Sequence, residues 1–296
     1  MIFGHYLFFE DEALLNEPSG TFDKKSLKLI SVSEDKTDLF SNYFHWMSKK
    51  LVLSGQEAYY HSDKPLEEAD ENFSWALEIK DVLFLVWDSD KQQIRYQKGI
   101  YYTAERLRFW VYHTFFPLVL ELSDKYNIMH VGSVKIGDKP VLFSAFSYGG
   151  KSTLTNYFLQ QGHTLLSDDS LAIEKREDSY YAVPSYPYYR PYRKLETLGY
   201  HTDNFSHKIQ KAHVMYVLEK ADAKSEISIN EVKGIEKFKA FHYSTFIDFS
   251  FMKEKRLHFF TDMAKQVSVY KISIPWDLKR LREVYEAICR HSNSIK

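Results

Sequence analysis

The sequence predicts an α/β protein of mixed α+β type, in which a smaller β-rich domain precedes a larger domain. Length and composition are the first observation, because 296 residues that are 44% apolar and 27% charged make a globular chain long enough for two domains. The second is a run of short apolar strand candidates in the first third of the chain. The third is the alternation of strand and helix patterns in the remainder, which is typical of an α/β domain.

Charge and cysteine content exclude several classes of partner. Lysine and arginine total 39 against 40 aspartates and glutamates, a net charge of -1, so no global basic field is present to hold nucleic acid or anionic lipid. The single cysteine, Cys289, cannot form an internal disulfide, which suits a reducing compartment. The first residues lack the pattern of a signal peptide, and the apolar stretch Phe109 to Leu122 is shorter than the ~20 residues of a membrane span. We therefore expect a cytoplasmic protein that binds neither nucleic acid nor a membrane.

Residues 1–102 are predicted to form the β-rich N-terminal domain. Its strand candidates are GHYLFFE, LKLISVS, ALEIKDVLFLVWD and IRYQKGIYY, the last two of which flank the turn-like segment DSDKQQ. A helix follows in residues 103–127, with Thr103 as its N-cap, Ala104 as its first residue and a kink at Pro117. This helix is expected to connect the two domains.

Residues 128–296 are predicted to form the larger domain. VGSVKIG and PVLFSA form strands around a tight turn, and a helix runs from Ser152 to about Gln161, where Gly162 ends it. HTLLSDD then forms an apolar strand that ends in two carboxylates, and LAIEKRE and SYYAVP form a hairpin. After a loop rich in tyrosine, proline and arginine, strands alternate with helices. The strands are HVMYVLEK, SEISINEV and QVSVYKISI, and the helices are GIEKFKAFHY, FMKEKRLHFFTDMA and LKRLREVYEAICRH.

The segment VLFSAFSYGGKST is the most informative one in the sequence. An apolar strand leads into a turn with Gly149 and Gly150, followed by Lys151 and Ser152, where a helix begins. In the P-loop pattern, backbone N–H groups and the helix N-terminus surround the phosphates, the lysine reaches the β- and γ-phosphates, and the hydroxyl binds Mg²⁺. Ala145 stands where the pattern has its first glycine, which is tolerable if that residue needs no positive φ. The alternative is an ordinary glycine-rich cap on a surface helix.

Asp168 and Asp169 follow Lys151 by 17 and 18 residues. A helix and a return strand fit in that interval, so the two carboxylates are predicted to lie beside the loop. One of them can orient the Mg²⁺ that Ser152 binds, while the other accepts the proton of an attacking hydroxyl. Two adjacent acids also tend to raise one pKa, which suits a base. Alternatively, the pair caps a loop, because aspartate is common in turns.

These motifs resemble the catalytic domain of HPr kinase/phosphorylase and the wider set of HPr-kinase-like serine kinases, including those that phosphorylate lasso-peptide precursors. The similarity covers residues 130–170 in three blocks, HVGS, AFSYGGKST and QGHTLLSDD, spaced as in the family. It continues more weakly to the last strand and helix, whereas residues 1–125 carry no motif of the family. The resemblance implies a P-loop kinase domain similar to the nucleotide domain of phosphoenolpyruvate carboxykinase.

The resemblance also implies roles for individual residues. Asp169 matches the proton acceptor of the family, and Asp168 matches its acidic neighbour, which is tied to the metal. His130 matches a histidine near the phosphates, although it could equally pack its ring as a connector between helix and strand. The ATP-binding loop corresponds to a continuous set of residues, of which Ser152 is also the Mg²⁺ ligand: Ser147, Tyr148, Gly149, Gly150, Lys151, Ser152 and Thr153.

The sequence departs from the family in two places. Phe146 and Tyr148 replace the aspartate and glycine that HPr kinases usually carry within the loop, and the Glu-Ile-Arg-Gly segment is absent. SYPYYRPYRKLE stands in its place, where Arg190 and Arg193 could neutralise a transferring phosphate or could be ordinary surface arginines. These departures argue against HPr itself as substrate and against the phosphorylase reaction.

The function predicted from the sequence is ATP- and Mg²⁺-dependent transfer of a γ-phosphate to a hydroxyl. The acceptor is expected to be a serine of a protein or peptide, with Asp169 as general base and Lys151, His130 and Arg190 in the catalytic machinery. One alternative is a non-catalytic ATP-binding regulatory module, and another is a kinase for the hydroxyl of a sugar or other small molecule. Members of the family often assemble, so a homo-oligomer is a further expectation.

Overall fold

The computed structural model describes residues 1–10, 28–37, 44–68, 72–146, 148–191, 194–247 and 249–295. They form a mixed α+β fold with several sheets and few helices, which confirms the predicted class. The chain divides into two compact units, of which unit one is Met1–Lys125 with Lys194–Leu198, and unit two is Tyr126–Arg193 with Gly199–Lys296. The domain boundaries predicted from the sequence stay a prediction.

Unit one is built on an eight-stranded sheet. Its strands are β1 (His5–Phe9), β2 (Lys28–Glu34), β3 (Trp46–Met47), β4 (Leu51–Leu53), β5 (Gln56–Ser62), β6 (Trp75–Ile79), β7 (Leu83–Asp88) and β8 (Gln93–Lys98). They lie in the order β1-β2-β8-β7-β6-β5-β3, with β4 also paired to β5. The pairs β1–β2 and β2–β8 are parallel, and the others are antiparallel. The predicted segments GHYLFFE and LKLISVS are strands β1 and β2, and IRYQKGIYY is a strand only in its first part, β8. The segment ALEIKDVLFLVWD contains two strands, β6 and β7, with a turn between them, and the strands β3, β4 and β5 were not predicted.

A three-part helical segment packs against this sheet. It consists of α1 (Ala104–Trp110), a π-helical turn (Val111–Phe115) and α2 (Phe116–Leu122), with a separate 3-10 turn at Leu66–Glu68. The hydroxyl of Thr103 accepts a hydrogen bond from the N–H of Arg106 at 3.1 Å, which confirms the predicted N-cap. The predicted helix is present over residues 104–122, but its hydrogen bonding changes from α-helical to π-helical at residues 111–115. Pro117 lies in the first turn of α2, where proline is tolerated. The ring centroids of Phe115 and Trp75 lie 4.7 Å apart, so the π-helical turn packs directly against β6 of the sheet.

Unit two contains sheets of six, four and two strands. The strands are β9 (Asn127–Met129), β10 (Gly132–Ile136), β11 (Lys139–Ser144), β12 (Leu165–Ser167), β13 (Leu171–Arg176), β14 (Ser179–Val183), β15 (Tyr188–Tyr189), β16 (Tyr200–His201), β17 (Gln210–Lys211), β18 (Val214–Ala221), β19 (Ser228–Glu231) and β20 (Ser268–Pro275). The six-stranded sheet has the order β12-β10-β11-β18-β20-β19, and the four-stranded sheet the order β17-β14-β13-β9. β15 pairs with β16.

Four longer helices complete unit two, close to the predicted segments. They are α3 (Lys151–Gln160), α4 (Gly234–His242), α5 (Lys253–Gln266) and α6 (Leu281–Ser294), with 3-10 turns at Ser250–Met252 and Leu278–Arg280. Within the described residues of the chain, no helix combines the length and the apolar character that crossing a bilayer requires.

Both faces of the six-stranded sheet are buried. Alternate residues of a strand point to opposite sides of a sheet, and each side packs into its own apolar cluster. On one face, Phe143 of β11 belongs to an apolar cluster with Phe158 of α3 and Ile288 of α6. On the other face, Leu142 belongs to a cluster that draws on the four-stranded sheet and on α4 and α5, with Phe241 among its members. The sheet is therefore the middle layer of unit two, which explains the nearly continuous apolar runs of its central strands.

Candidate active site

The carboxyl ends of four strands of the six-stranded sheet meet at one edge. β11, β18 and β20 are parallel neighbours. β12 points in the same direction, because it is antiparallel to β10, which is antiparallel to β11. Ligand sites of open α/β sheets lie just beyond the carboxyl ends of the strands. A cleft of about 420 Å³ lies at this edge of unit two.

The cleft gathers residues that are far apart in the sequence. Its lining is His130, Phe146, Tyr148, Gly149, Gly150, Lys151, Ser152, Thr153, Asp168, Asp169, Arg190, Pro191, Lys220 and Trp276. All the site residues predicted from the sequence are in this set except Ser147, which lies outside the described residues, as does Arg193. The structure therefore brings the predicted site together, while the chemical role of each residue stays a prediction.

The loop between β11 and α3 makes a tight turn that needs glycine at two places. Gly150 has φ +89° and ends the loop at the N-cap of α3. The N–H of Gly149 donates to the carbonyl of Phe146 at 2.8 Å, and a Cβ on Gly149 would lie 2.6 Å from the Cβ of Ala145. Tyr148 has φ +61°, whereas Ala145 does not adopt a positive φ. Alanine is thus compatible with the position where the P-loop pattern has its first glycine.

The first turn of α3 presents its backbone N–H groups to the cleft. Gly150, the N-cap residue, has no side chain that could cap this end of the helix, and the N-terminus of a helix carries a partial positive charge that favours anions. Lys151 is buried, and its Nζ donates to the carbonyl of His130 at 3.2 Å. His130 precedes β10 and is held by a bond from its N–H to the carbonyl of Ser244 at 2.6 Å. These groups form a positively charged wall that can bind phosphate.

Asp168 is buried beside this wall, directly after β12. Its Oδ2 accepts a hydrogen bond from the N–H of Arg190 at 2.7 Å. Burial raises the pKa of the Asp168 carboxyl to about 6; the N–H of Arg190 opposes the rise and the charge of Asp169 adds to it. The charge of the adjacent acid, which the sequence analysis expected to raise one pKa, is therefore only a smaller cause than burial. The pKa that is raised is that of Asp168 and not that of Asp169, the predicted base.

Asp168 and Ser152 suit a Mg²⁺ ion that also binds phosphate. Among the residues that the structure describes, Asp168 Oδ1 is buried without a hydrogen-bond partner, and the Ser152 hydroxyl is close enough to lower the pKa of this carboxyl. No group of three or more His, Cys, Asp and Glu side chains within the described part of the chain could hold a metal by itself. Mg²⁺ is commonly held by one or two carboxylates with substrate phosphates and water, so this donor set fits it.

Asp169 lies between two basic side chains and is open to the cleft. Its Oδ1 lies 3.4 Å from Nδ1 of His130, and its Oδ2 accepts a hydrogen bond from Nη2 of Arg190 at 3.3 Å. The Asp169 side chain is 24% exposed, whereas that of Arg190 is only 10% exposed. Arg190 is therefore an inner residue of the cleft and not a surface arginine, while its role in neutralising a transferring phosphate stays a prediction.

Lys220 and Trp276 are among the cleft residues that sequence reasoning missed. Lys220 lies near the carboxyl end of β18, and Trp276 directly follows β20. The Nζ of Lys220 lies 4.0 Å from the centre of the Trp276 ring, a cation–π contact. Neither residue belongs to a motif. Only the strand order, which puts the ends of β18 and β20 beside the glycine loop, would have identified them.

Comparison with solved structures gives distant structural similarities. No protein-family model matches the chain, and no curated protein matches it. A solved structure described as the Hpr(Ser) kinase/phosphatase from Coxiella burnetii is similar over 56% of this chain and 95% of that chain, with 14% sequence identity and a TM-score of 0.34. A similarity at this level does not show the function of this chain.

Proposed function

We propose that this chain is an ATP- and Mg²⁺-dependent kinase that transfers the γ-phosphoryl group to the hydroxyl of a serine in a protein or peptide. One observation supports the proposal most strongly. The glycine loop, the uncapped first turn of α3, Lys151 and two aspartates of different burial all line one cleft at the carboxyl edge of the sheet. A site with these parts can bind a triphosphate, hold its metal ion and accept a proton.

The phosphate chain is expected to lie along the loop and the start of α3. The N–H groups of this turn and the ammonium of Lys151 would neutralise phosphate oxygens in an environment that is partly shielded from water, where such charges act strongly. Lys151 is buried with only 9% exposure, so its charge is aimed into the cleft rather than spread into solvent.

The metal ligands on the protein would be the Ser152 hydroxyl and Asp168 Oδ1. A Mg²⁺ ion held by these two residues would supply positive charge that offsets the charge developing on the phosphate oxygens during transfer. The raised pKa of Asp168 also implies that this carboxyl is ionised at neutral pH but protonated near pH 5.

Asp169 is proposed as the proton acceptor. The oxygen of the acceptor hydroxyl forms a bond to the γ-phosphorus, the bond from that phosphorus to the β–γ bridging oxygen breaks, and the hydroxyl proton moves to Asp169. His130 and Arg190 hold the two oxygens of this carboxylate in place. The guanidinium of Arg190 can also stabilise charge on the transferring group.

Two substitutions test the proposal. Purified protein is incubated with Mg²⁺ and ATP labelled in the γ-phosphate, with serine peptides, monosaccharides and water as candidate acceptors. We expect Lys151→Ala to lose nucleotide binding. Asp169→Asn should bind ATP in calorimetry but should transfer phosphate more slowly by a factor of about 100 or more. The exposed Lys265 and Asp138 provide matched controls, Lys265→Ala and Asp138→Asn, which should behave as wild type.

The outcomes separate the proposal from its alternatives. Wild-type turnover by Asp169→Asn would remove this residue from the role of base. Binding of ATP without transfer to any acceptor, including water, would favour the regulatory module. Labelled monosaccharide without labelled peptide would assign the small-molecule acceptor. If no ATP binds to the unaltered protein, the proposal is wrong.

A further inference from the structure

A second cavity adjoins the cleft on the far side of the glycine loop. It measures about 230 Å³. It shares Gly149, Gly150, Thr153 and Trp276 with the cleft, so the two spaces are neighbours at the start of α3. None of the residues at the charged end of the cleft borders it, neither the two aspartates nor His130 and Arg190.

The side chains that line only this cavity are mainly apolar. They come from the end of β20, the following 3-10 turn and the facing sides of α3 and α6, and include Leu154, Ile274, Leu278, Leu281 and Val284. The exception is Asp277, whose carboxylate already accepts a hydrogen bond from the N–H of Lys279 at 3.0 Å. Such a surface can bind a flat, weakly polar group, but it offers few donors or acceptors for hydrogen bonds to the polar edge of that group.

Trp276 forms the wall between the two spaces. A Cβ on Gly150 would lie 3.4 Å from this indole ring, so the ring packs against the loop, while the side chain remains 48% exposed. Lys220 lines the cleft but not the cavity, and its ammonium over the ring helps to fix the orientation of the indole. The indole thus offers an aromatic face at the mouth of an apolar cavity.

We infer that this cavity, bounded by Trp276 and Leu278, binds the base of the nucleotide. The inference rests on the proposed function, because that function sets the direction of the ligand. With the γ-phosphate facing Asp169, the other end of the phosphate chain passes Gly150 and Thr153 and reaches the cavity. Base stacking on an aromatic side chain and burial against aliphatic side chains then supply the affinity.

The chemistry of the cavity also predicts its selectivity. A site rejects an analogue strongly only when its own buried polar groups would be left unpaired. This cavity has few such groups, so ATP and GTP should bind within about tenfold of each other. Both should bind more tightly than inorganic tripolyphosphate, which has no base.

Calorimetric titration with Mg-ATP and with Mg-tripolyphosphate tests the inference. Trp276→Ala should weaken ATP binding by about 5- to 100-fold, and Trp276→Phe should restore most of it, because a phenyl ring still stacks. Leu278→Gln is a second variant, at a position 76% exposed and so tolerant of change, and should weaken ATP binding in the same direction. Leu257→Gln, on the exposed side of α5, is the matched control. Binding of tripolyphosphate should be unchanged in every variant.

The possible failures are distinguishable. If the unaltered protein binds neither ligand, the proposed function is wrong and this inference falls with it. If the unaltered protein binds both and the variants at Trp276 and Leu278 bind ATP as well as the control does, only the base site is wrong. An equal loss of ATP and tripolyphosphate affinity in these variants would also overturn it, because the wall would then serve the phosphates.

Discussion

Replacement of Asp168 by asparagine is expected to stabilise the protein at neutral pH. Burial raises the pKa of this carboxyl from an ordinary 3.8 to about 6. Between these values the folded state binds more protons than the unfolded state, so this group makes the protein less stable as the pH rises from about 4 to about 6. Asparagine removes the titration and can still accept the hydrogen bond from the N–H of Arg190.

The size of the effect follows from the shift. A displacement of about 2 pKa units at 1.36 kcal/mol each corresponds to about 3 kcal/mol of lost stability above pH 6. Asp168 is almost wholly buried, with 4% of its surface exposed, so solvent screening reduces this figure little. Part of this loss has already occurred at pH 4, which lies just above the unfolded pKa, so the stability of Asp168→Asn minus that of the wild type should increase by roughly 2 kcal/mol between pH 4 and pH 7.5.

Urea unfolding at the two pH values, without nucleotide or metal, measures this difference. Comparing the same pair of proteins at both values cancels any change in packing that does not depend on pH. Asp138→Asn, at a carboxylate that is 97% exposed, should give no such increase. A difference between Asp168→Asn and wild type that stays constant from pH 4 to pH 7.5 would refute the reasoning. The variant should also lose Mg²⁺-dependent activity, as expected where a strained group serves a function.

Three further substitutions test other parts of the structure. Gly149→Ala would place a Cβ 2.6 Å from that of Ala145, so the loop must shift; calorimetry should show ATP affinity reduced tenfold or more, with little change in melting temperature. Glu196→Ala removes a buried carboxylate that accepts a hydrogen bond from Nε1 of Trp110 at 2.8 Å and pairs with Arg106 at 2.8 Å, and urea unfolding should show a loss of about 3 kcal/mol. Thr103→Ala removes the N-cap of α1 and should cost about 1 kcal/mol in the same assay; an unchanged value would mean that this end of the helix contributes nothing measurable.

Local patterns predicted most of the secondary structure and the contiguous half of the site. The helix predicted from Ser152 to about Gln161 is α3, from Lys151 to Gln160, because a glycine turn, a helix start and a glycine stop are all encoded within a few residues. The loop and the adjacent aspartates could be identified for the same reason. The change to π-helical hydrogen bonding after Trp110 could not be predicted, since no local pattern in the sequence marks it.

Features that depend on strand order could not be predicted from local patterns. Lys220 and Trp276 enter the cleft only because β18 and β20 lie beside β11. Similarly, the different burial of Asp168 and Asp169 depends on the structure around the end of β12 at Ser167, where Asp168 is nearly inaccessible and Asp169 is more open, although both line the cleft. Sequence spacing placed the two acids at the site but could not say which one is buried.

A crystal structure of the protein with Mg²⁺ and a non-hydrolysable ATP analogue tests the central claim most directly. We expect phosphates on the N–H groups between Gly149 and Thr153, a metal ion bound to the Ser152 hydroxyl and Asp168, and the terminal phosphate facing Asp169. Nucleotide bound elsewhere, or bound in this cleft with its terminal phosphate turned away from Asp169, would contradict it.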